Sequence, residues 1–260
     1  MSSEKSLVLA ELPTYIDAVE RLTKTGEGPF DGSRLEAVIV DVDGTLYRQD
    51  SLRAGMIKRL IRAHLTSLRL GMRTFQILRA YRKEQEHLRT LTPSGNVADL
   101  QLQHVCEQTG HDVNTVRSCV ERWMENEPLE LLPSALHPCL VDFLDFVSGR
   151  GLKLAVFSDY PAARKLQAMG IANYFQVVVS AQDLDVQEFK PSPRGLEVTL
   201  QRLGVEPSQA VYIGDRPEVD GEAARRAGMR CVIVGRSRYE RHGEWMGVRT
   251  FEELKTRLFD

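Results

Sequence analysis

The amino-acid sequence predicts an α/β protein built on a doubly wound parallel sheet. Before residue 50 and after residue 135, short runs of β-branched and aliphatic residues alternate with amphipathic helical patterns. Continuous apolar strands separated by helices are typical of a parallel sheet covered on both faces. Between these two parts the alternation stops, and the hydrophobic periodicity is helical throughout. The fold class is therefore a Rossmann-like sheet domain with an inserted α-helical domain.

The sheet domain is predicted to comprise residues 1–49 and 136–260. Its strands are expected at 36–42, 152–157, 175–179, 210–213 and 231–234, and its helices at 138–148, 161–169, 194–203, 218–227 and 250–258. Residues 1–34 form an N-terminal extension with a short helical pattern, "TYIDAVERLT", and a Gly-rich connection. The role of this extension stays open.

The inserted helical domain is predicted to span residues 50–135. Apolar residues recur in its first part at spacings of three and four, as in amphipathic helices. They are Met56, Leu60, Ile61, Leu65, Leu68, Met72 and Phe75. Further helical patterns run through "VADLQLQHVCEQ" and "VNTVRSCVERWMEN", and the proline-containing "NEPLELLPSALHP" is predicted to be the linker that returns to the sheet.

The first part of the inserted domain is strongly basic. Between residues 53 and 89 the chain has ten Lys and Arg residues and only two acids, Glu84 and Glu86. The net charge of this stretch is therefore about +8, while that of the whole chain is near −2. Three interpretations remain open. The stretch is a solvated helix face, a surface that concentrates an anionic substrate, or a basic amphipathic surface for peripheral contact with anionic lipid.

Composition excludes several other classes of protein. The chain is 42% hydrophobic and 27% charged, as is ordinary for a globular protein, and its small net charge gives no general attraction to nucleic acid. The four cysteines lie far apart, which indicates neither a zinc site nor a disulfide framework. No apolar run is long enough to cross a bilayer, and the first residues lack a secretory pattern. We therefore expect a cytoplasmic protein without a transmembrane segment.

Two carboxylates end the first predicted strand, in "VIVDVDGTLY". The side-chain period of two directs Asp41 and Asp43 toward the same side. Two carboxylates this close are costly unless a cation lies between them or one is protonated. Gly44 permits a tight turn, and Thr45 offers a hydroxyl and a backbone N–H to an anion. An ordinary strand followed by an Asp-Gly turn explains this stretch equally well by itself.

Three further strand ends carry side chains suited to the same ligand. Ser158 follows the second strand, Lys190 lies in "KPSP" after the third, and Asp215 and Asp220 lie in "GDRPEVD" after the fourth. Each alone could be a turn, cap or surface residue. Because ligands bind beyond the carboxyl ends of parallel strands, their combination indicates a site for a metal-bound phosphate group.

These stretches together resemble the four motifs of the haloacid dehalogenase superfamily of aspartate-nucleophile hydrolases. "DVDGTLY" is similar to the first motif, Asp-x-Asp-Gly-Thr, and Ser158, Lys190 and the Asp215–Asp220 pair follow as the second, third and fourth. The resemblance covers about residues 35 to 240. It implies that the inserted helical domain is a cap of the family's first type.

The resemblance implies a Mg²⁺-dependent phosphatase for a small phosphomonoester. Asp41 is the expected nucleophile, which forms an aspartyl-phosphate, and Asp43 the expected acid and base. Mg²⁺ is expected on Asp41, Asp215 and the backbone carbonyl of Asp43. The presence of Asp43 favours phosphoryl transfer over dehalogenation, since a halide leaving group needs no acid.

The remaining motif residues are expected to handle the phosphate. Thr45, Ser158 and Lys190 are the expected substrate-binding residues. By the same resemblance, Ser158 and Lys190 bind phosphoryl oxygens and balance their charge in the transition state. Asp220 is expected to orient Lys190 or a metal-bound water. A phosphomutase with the same nucleophile is the close alternative, and a non-catalytic phosphate-binding or scaffold protein a more distant one. The substrate and the oligomeric state stay open.

Overall fold

The computed structural model describes residues 35–91, 95–235 and 245–259, so the predicted helix at 14–23 lies outside the described residues. Within them, six strands form one parallel sheet. The strands are β1 (Ala37–Val40), β2 (Lys153–Ser158), β3 (Val177–Ser180), β4 (Ala210–Gly214), β5 (Arg230–Val234) and β6 (Met246–Val248). Their order is β3-β2-β1-β4-β5-β6, and the predicted fold class is confirmed.

The α-helices follow one another between and after these strands. They are α1 (Gln49–Ala63), α2 (Leu68–Leu88), α3 (Val97–Thr109), α4 (Val113–Val120), α5 (Leu132–Ala135), α6 (Leu140–Gly149), α7 (Ala163–Ala168), α8 (Arg194–Leu203), α9 (Glu222–Arg226) and α10 (Phe251–Phe259). The helices α1 to α5 all lie between β1 and β2 in the chain, and we call residues 49–135 the helical insertion.

The central strand β1 faces two apolar layers. Val38 and Val40 pack with residues of α6 and α10 on one side of the sheet. Ala37 and Ile39 pack with residues of α8 and α9 on the other side. This alternation follows from the side-chain period of two in a strand, and every residue of β1 is buried because both faces are covered.

The strand order reverses beside β1. The chain leaves β1 toward β2 and β3, and returns to the other side of β1 with β4. Val40 of β1 pairs in register with Val156 of β2 and with Ile213 of β4. The loops that follow these three strands therefore meet at one edge, at the switch point where open α/β sheets bind their ligands.

Several local elements differ from the sequence prediction. The edge strand β6 was not predicted, because three residues are too few to show a periodicity. The stretch predicted as one helix at 218–227 is a π-helical turn, Pro217–Gly221, followed by α9. The predicted return linker contains the short helix α5, and Leu136 beyond it forms an isolated bridge with Tyr47.

The helical insertion has a small core of its own. Helices α2, α3 and α4 pack around Ile77, Tyr81, Leu102, Val105, Val116 and Val120. The apolar periodicity predicted for its first part does form helices, but most of those side chains face away from this core and are exposed. No helix of the described residues is long and apolar enough to span a membrane.

Candidate active site

The end of β1 places Asp41 at the centre of the carboxyl edge. The backbone N–H of Asp41 donates to the carbonyl of Ile213 at 2.8 Å, which ties the first residue after β1 to β4. The Asp41 side chain is buried, and its Oδ2 accepts a hydrogen bond from the fully buried Thr45 hydroxyl at 3.3 Å. Thr45 thus holds Asp41 in this structure, while its backbone N–H donates to the Val42 carbonyl.

Two glycines let the fourth motif approach this loop. Gly44 has φ +104°, and a Cβ there would lie 2.3 Å from Oδ2 of Asp215. A Cβ on Gly214 would lie 2.4 Å from Asp220. Any larger residue at either position would displace a carboxylate, so both glycines are required by the close packing of acids and backbone.

Lys190 is the cation at the centre of the cluster. Its Nζ lies 2.6 Å from Oδ1 of Asp41, 2.7 Å from Oδ1 of Asp220 and 3.0 Å from the Tyr212 hydroxyl. Only 3% of its side chain is exposed. Burial by itself lowers the pKa of Lys190, but the charges of Asp220 and Asp41 outweigh it and raise that pKa well above the ordinary value.

Asp220 is engaged through both of its carboxylate oxygens. Oδ1 accepts from Lys190 and Tyr212, and Oδ2 accepts the backbone N–H groups of Asp215 and Arg216 at 3.1 and 2.9 Å. Burial tends to raise the pKa of Asp220, but Lys190 and these hydrogen bonds hold it below its ordinary value. Asp220 therefore fixes both Lys190 and the loop that carries Asp215.

Asp43 is held by a lysine that the sequence analysis did not single out. Nζ of Lys165, on α7, lies 2.6 and 2.7 Å from the two carboxylate oxygens, and the Tyr47 hydroxyl donates to one of them. Burial tends to raise the pKa of Asp43, but Lys165 and Tyr47 lower it below its ordinary value. The backbone carbonyl of Asp43 accepts a hydrogen bond from Gln49 at 2.7 Å.

The carboxylates at this edge are crowded enough to hold a metal ion. Ligand oxygens of Asp41, Asp215 and Asp220 all lie within 4.8 Å of one another. Burial, with a further contribution from neighbouring carboxylates, raises the pKa of Asp41 to about 8 and that of Asp215 to about 6. A divalent cation would relieve this repulsion, and oxygen donors are the ligands that Mg²⁺ prefers.

Ser158 supplies an unused donor at the end of β2. Its Oγ is buried and finds no hydrogen-bond partner among the described residues. A buried hydroxyl without a partner is costly, and such a group in a polar site commonly marks a position that a ligand completes. The neighbouring Asp159 does have a hydrogen-bond partner. Its Oδ2 accepts a hydrogen bond of 2.6 Å from Arg89, which lies at the end of α2.

The sequence analysis missed Lys165, Tyr47 and Tyr212. The sequence could have indicated Tyr212, because a hydroxyl inside the apolar run "AVYI" needs buried hydrogen-bond partners. These partners are Lys190 and Asp220. Tyr47 and Lys165 left none, since neither directly follows a strand. The predicted residues Asp41, Asp43, Lys190, Asp215 and Asp220 do come together, and Ser158 lies at the same edge of the sheet.

A Rossmann-like sheet with an acidic, lysine-centred cluster at its switch point is the arrangement of a class of α/β hydrolases. The family model described as haloacid dehalogenase-like hydrolase matches residues 35–228, which is more than half of the chain. The chain belongs to this family.

Named relatives of this chain are phosphatases. A glyceraldehyde 3-phosphate phosphatase of Methanopyrus kandleri is 29% identical over 212 residues, covering 79% of this chain and 86% of that protein. The phosphoglycolate phosphatase of Escherichia coli is 36% identical over 112 residues, or 42% of each chain. That second match thus spans less than half of the relative's length.

Solved structures of the family share the fold. One is a haloacid dehalogenase (HAD) hydrolase of Bacillus subtilis, solved with bound magnesium. Its structure matches this one with a TM-score of 0.61 and 15% sequence identity, and the match covers 88% of this chain and all of that one. At this identity the likeness concerns the fold alone.

Proposed function

We propose that the protein is a Mg²⁺-dependent phosphatase that hydrolyses a small phosphomonoester through an aspartyl-phosphate. The observation that carries the proposal is the contact between the Asp41 carboxylate and the Lys190 ammonium, at a buried edge that also holds the unpartnered Ser158 hydroxyl. The proposed nucleophile thus contacts one proposed donor for phosphoryl oxygens, and a second donor lies at the end of the neighbouring strand. The phosphatase names of the relatives support the same reaction class.

The proposed reaction begins with attack by a carboxylate oxygen of Asp41 on phosphorus. The leaving alkoxide takes a proton from Asp43, and the phosphoryl group stays on Asp41 as a mixed anhydride. Asp43, now ionised, removes a proton from the water that attacks the phosphorus. Phosphate is released, and the Asp41 carboxylate is regenerated.

The contacts of Asp43 support its proposed role as base in the second step. With Lys165 and Tyr47 on its carboxylate and a lowered pKa, Asp43 is ionised. To act first as an acid, it must give up part of this contact and take a proton when the substrate enters. We infer that Lys165 and Tyr47 position Asp43 and control when it carries that proton.

Asp41, Asp215 and the carbonyl of Asp43 would hold Mg²⁺. Burial and neighbouring carboxylates raise the pKa values of both carboxylates, and a divalent cation between them would counter this. Asp220 is a poorer ligand, since its two oxygens already accept four hydrogen bonds, from Lys190, Tyr212 and two backbone N–H groups, whereas those of Asp41 accept two. When bound, Mg²⁺ would neutralise the charge that collects between nucleophile and phosphate.

We further propose that the helical insertion, whose predicted bounds are 50–135, is a cap over this site. Arg89 donates to Asp159 and to the backbone carbonyl of Lys190, both at 2.6 Å. Glu86 pairs with Arg216 at 3.0 Å. These contacts join the end of α2 to the loops after β2, β3 and β4, which supports a role for the insertion in choosing the substrate's organic part and excluding water.

A screen of phosphorylated metabolites for phosphate release tests the proposal. We expect turnover with Mg²⁺, loss on chelation and recovery on adding Mg²⁺ back. No release from any phosphomonoester would contradict it and favour the binding or scaffold alternative. Transfer of the phosphoryl group to a second sugar hydroxyl, without free phosphate, would favour the phosphomutase.

A further inference from the structure

Exposed apolar side chains cluster at the end of the helical insertion that lies away from the catalytic loops. Leu65 and Leu68 flank the turn between α1 and α2 and are 74% and 79% exposed. Ile61 and Met72, one turn into each helix, are 58% and 57% exposed. Ile57 and Phe75 are also exposed, and Lys58, Arg62, Arg69 and Arg73 alternate with these apolar residues. We call the six apolar and four basic side chains together the distal face.

The distal face is surrounded by positive charge. From residue 51 to residue 83 the chain contains nine Lys and Arg residues and no acid. Among these, Lys58, Arg62, Arg69 and Arg73 alternate with the apolar residues of the distal face and form no ion pair with any described residue. Arg59 differs, because it pairs with Glu127 and Glu130.

Arg69 and Arg73 lie too far from the catalytic cluster to attract substrate. Arg89 at the end of α2 contacts Lys190, and Arg73 and Arg69 precede it by 16 and 20 residues. At 1.5 Å per helical residue, they lie about 24 and 30 Å from Arg89 along α2. Exposed charges are screened over about 8 Å at physiological ionic strength, so their field does not reach the site. Substrate capture therefore does not explain them.

We propose that the distal face docks on an anionic lipid bilayer. A helix with apolar side chains on one face and flanking Lys and Arg fits the boundary between headgroups and acyl chains. Apolar insertion and a basic patch are the two signals that peripheral binding commonly needs, and each base near an anionic surface strengthens binding roughly fivefold. A second copy of the chain fits less well, since a symmetric contact would bring two strongly basic faces together.

The test uses the full-length protein with phosphatidylcholine vesicles that contain or lack phosphatidylserine. We expect co-sedimentation only with phosphatidylserine, and weaker binding as salt rises. The basic variant Arg62→Gln/Arg69→Gln/Arg73→Gln should bind about 100-fold less tightly, and the apolar variant Leu65→Gln/Leu68→Gln/Met72→Gln at least about 10-fold less tightly. The matched controls Leu184→Gln and Arg249→Gln, exposed on the sheet domain, should bind like wild type.

Two further measurements distinguish other occupants of the distal face. In the absence of vesicles, the apolar variant should keep the wild-type Tm and molar mass. A lowered Tm would mean that residues 1–34 cover the distal face, and a mass that falls from dimer to monomer would mean that a second copy does. Either result would overturn the proposal, as would absence of binding to anionic vesicles or full binding by both triple variants.

Discussion

The catalytic cluster and the distal face are both rich in charge, yet their surroundings are opposite. In the cluster, Lys190 is 3% exposed and touches two carboxylates and a tyrosine. On the distal face, basic side chains are exposed and form no ion pair with described residues. Buried charges depend on each other for stability, whereas exposed ones cost little and remain free to meet a partner. Substitutions should therefore have large effects in the first region and small ones in the second.

The largest effect is expected for Lys190→Met. The change leaves Asp41 and Asp220 buried without their cation, and removing one member of a buried ion pair typically costs about 3–5 kcal/mol. Denaturant unfolding should show a loss of that size, and turnover should fall at least about 100-fold because the phosphoryl oxygens lose a donor. Arg69→Gln on the distal face is the matched control and should change stability by less than about 0.5 kcal/mol. Equal effects of the two changes would contradict the comparison.

The next largest effect is on Mg²⁺ affinity, which should differ between variants of Asp215 and Asp43. Asp215→Asn removes a charged metal ligand and should weaken Mg²⁺ binding about 10- to 100-fold by calorimetry. Asp43→Asn should keep Mg²⁺ affinity within a few-fold, because its proposed metal contact is a backbone carbonyl, yet it should be nearly inactive. If both variants lose Mg²⁺ binding equally, this division of roles is wrong.

A pH effect is expected in the metal-free protein. Burial and nearby carboxylates raise the pKa of Asp41 from the ordinary value of 3.8 to about 8 in the folded state. The folded state then binds the proton more tightly than the unfolded state. The contribution of Asp41 to the free energy of unfolding therefore falls as pH rises from about 4 to about 8. In chelator, the Tm of Asp41→Asn relative to that of wild type should therefore rise as pH increases from about 4 to about 8, on top of the pH-independent cost of taking a partner from Lys190. A relative Tm of the variant that rises on acidification would show the opposite sign.

The smallest effect is expected for the triple change Arg69→Gln/Arg73→Gln/Arg79→Gln. Arg79 precedes Arg89 by ten residues, about 15 Å along α2, and the other two lie farther away. Screening should leave kcat/KM for a small soluble phosphate ester within about twofold of wild type at physiological salt. A several-fold, salt-sensitive drop would restore the interpretation that these bases capture the substrate.

The sequence predicted the residues of the cluster better than the side chains, such as Lys165, that hold them in position. Asp41 and Asp215 directly follow parallel strands and Ser158 is the last residue of one, so the topology alone brings them to one edge. Lys165 reaches Asp43 from a position 122 residues later in the chain, through a fold geometry that no local pattern encodes. The apolar spacing in α1 and α2 predicted helices, but periodicity cannot tell whether a face meets its own core or another surface.

Mapping of protein-bound phosphate tests the central assignment most directly. Wild-type protein is mixed with Mg²⁺ and a ³²P-labelled substrate from the metabolite screen, quenched in acid within a single turnover, and digested. The proposed mechanism predicts that the label appears on the peptide containing Asp41, decays as free phosphate forms, and is absent from Asp41→Asn. Phosphate release with no labelled protein, or a label on another residue, would contradict it.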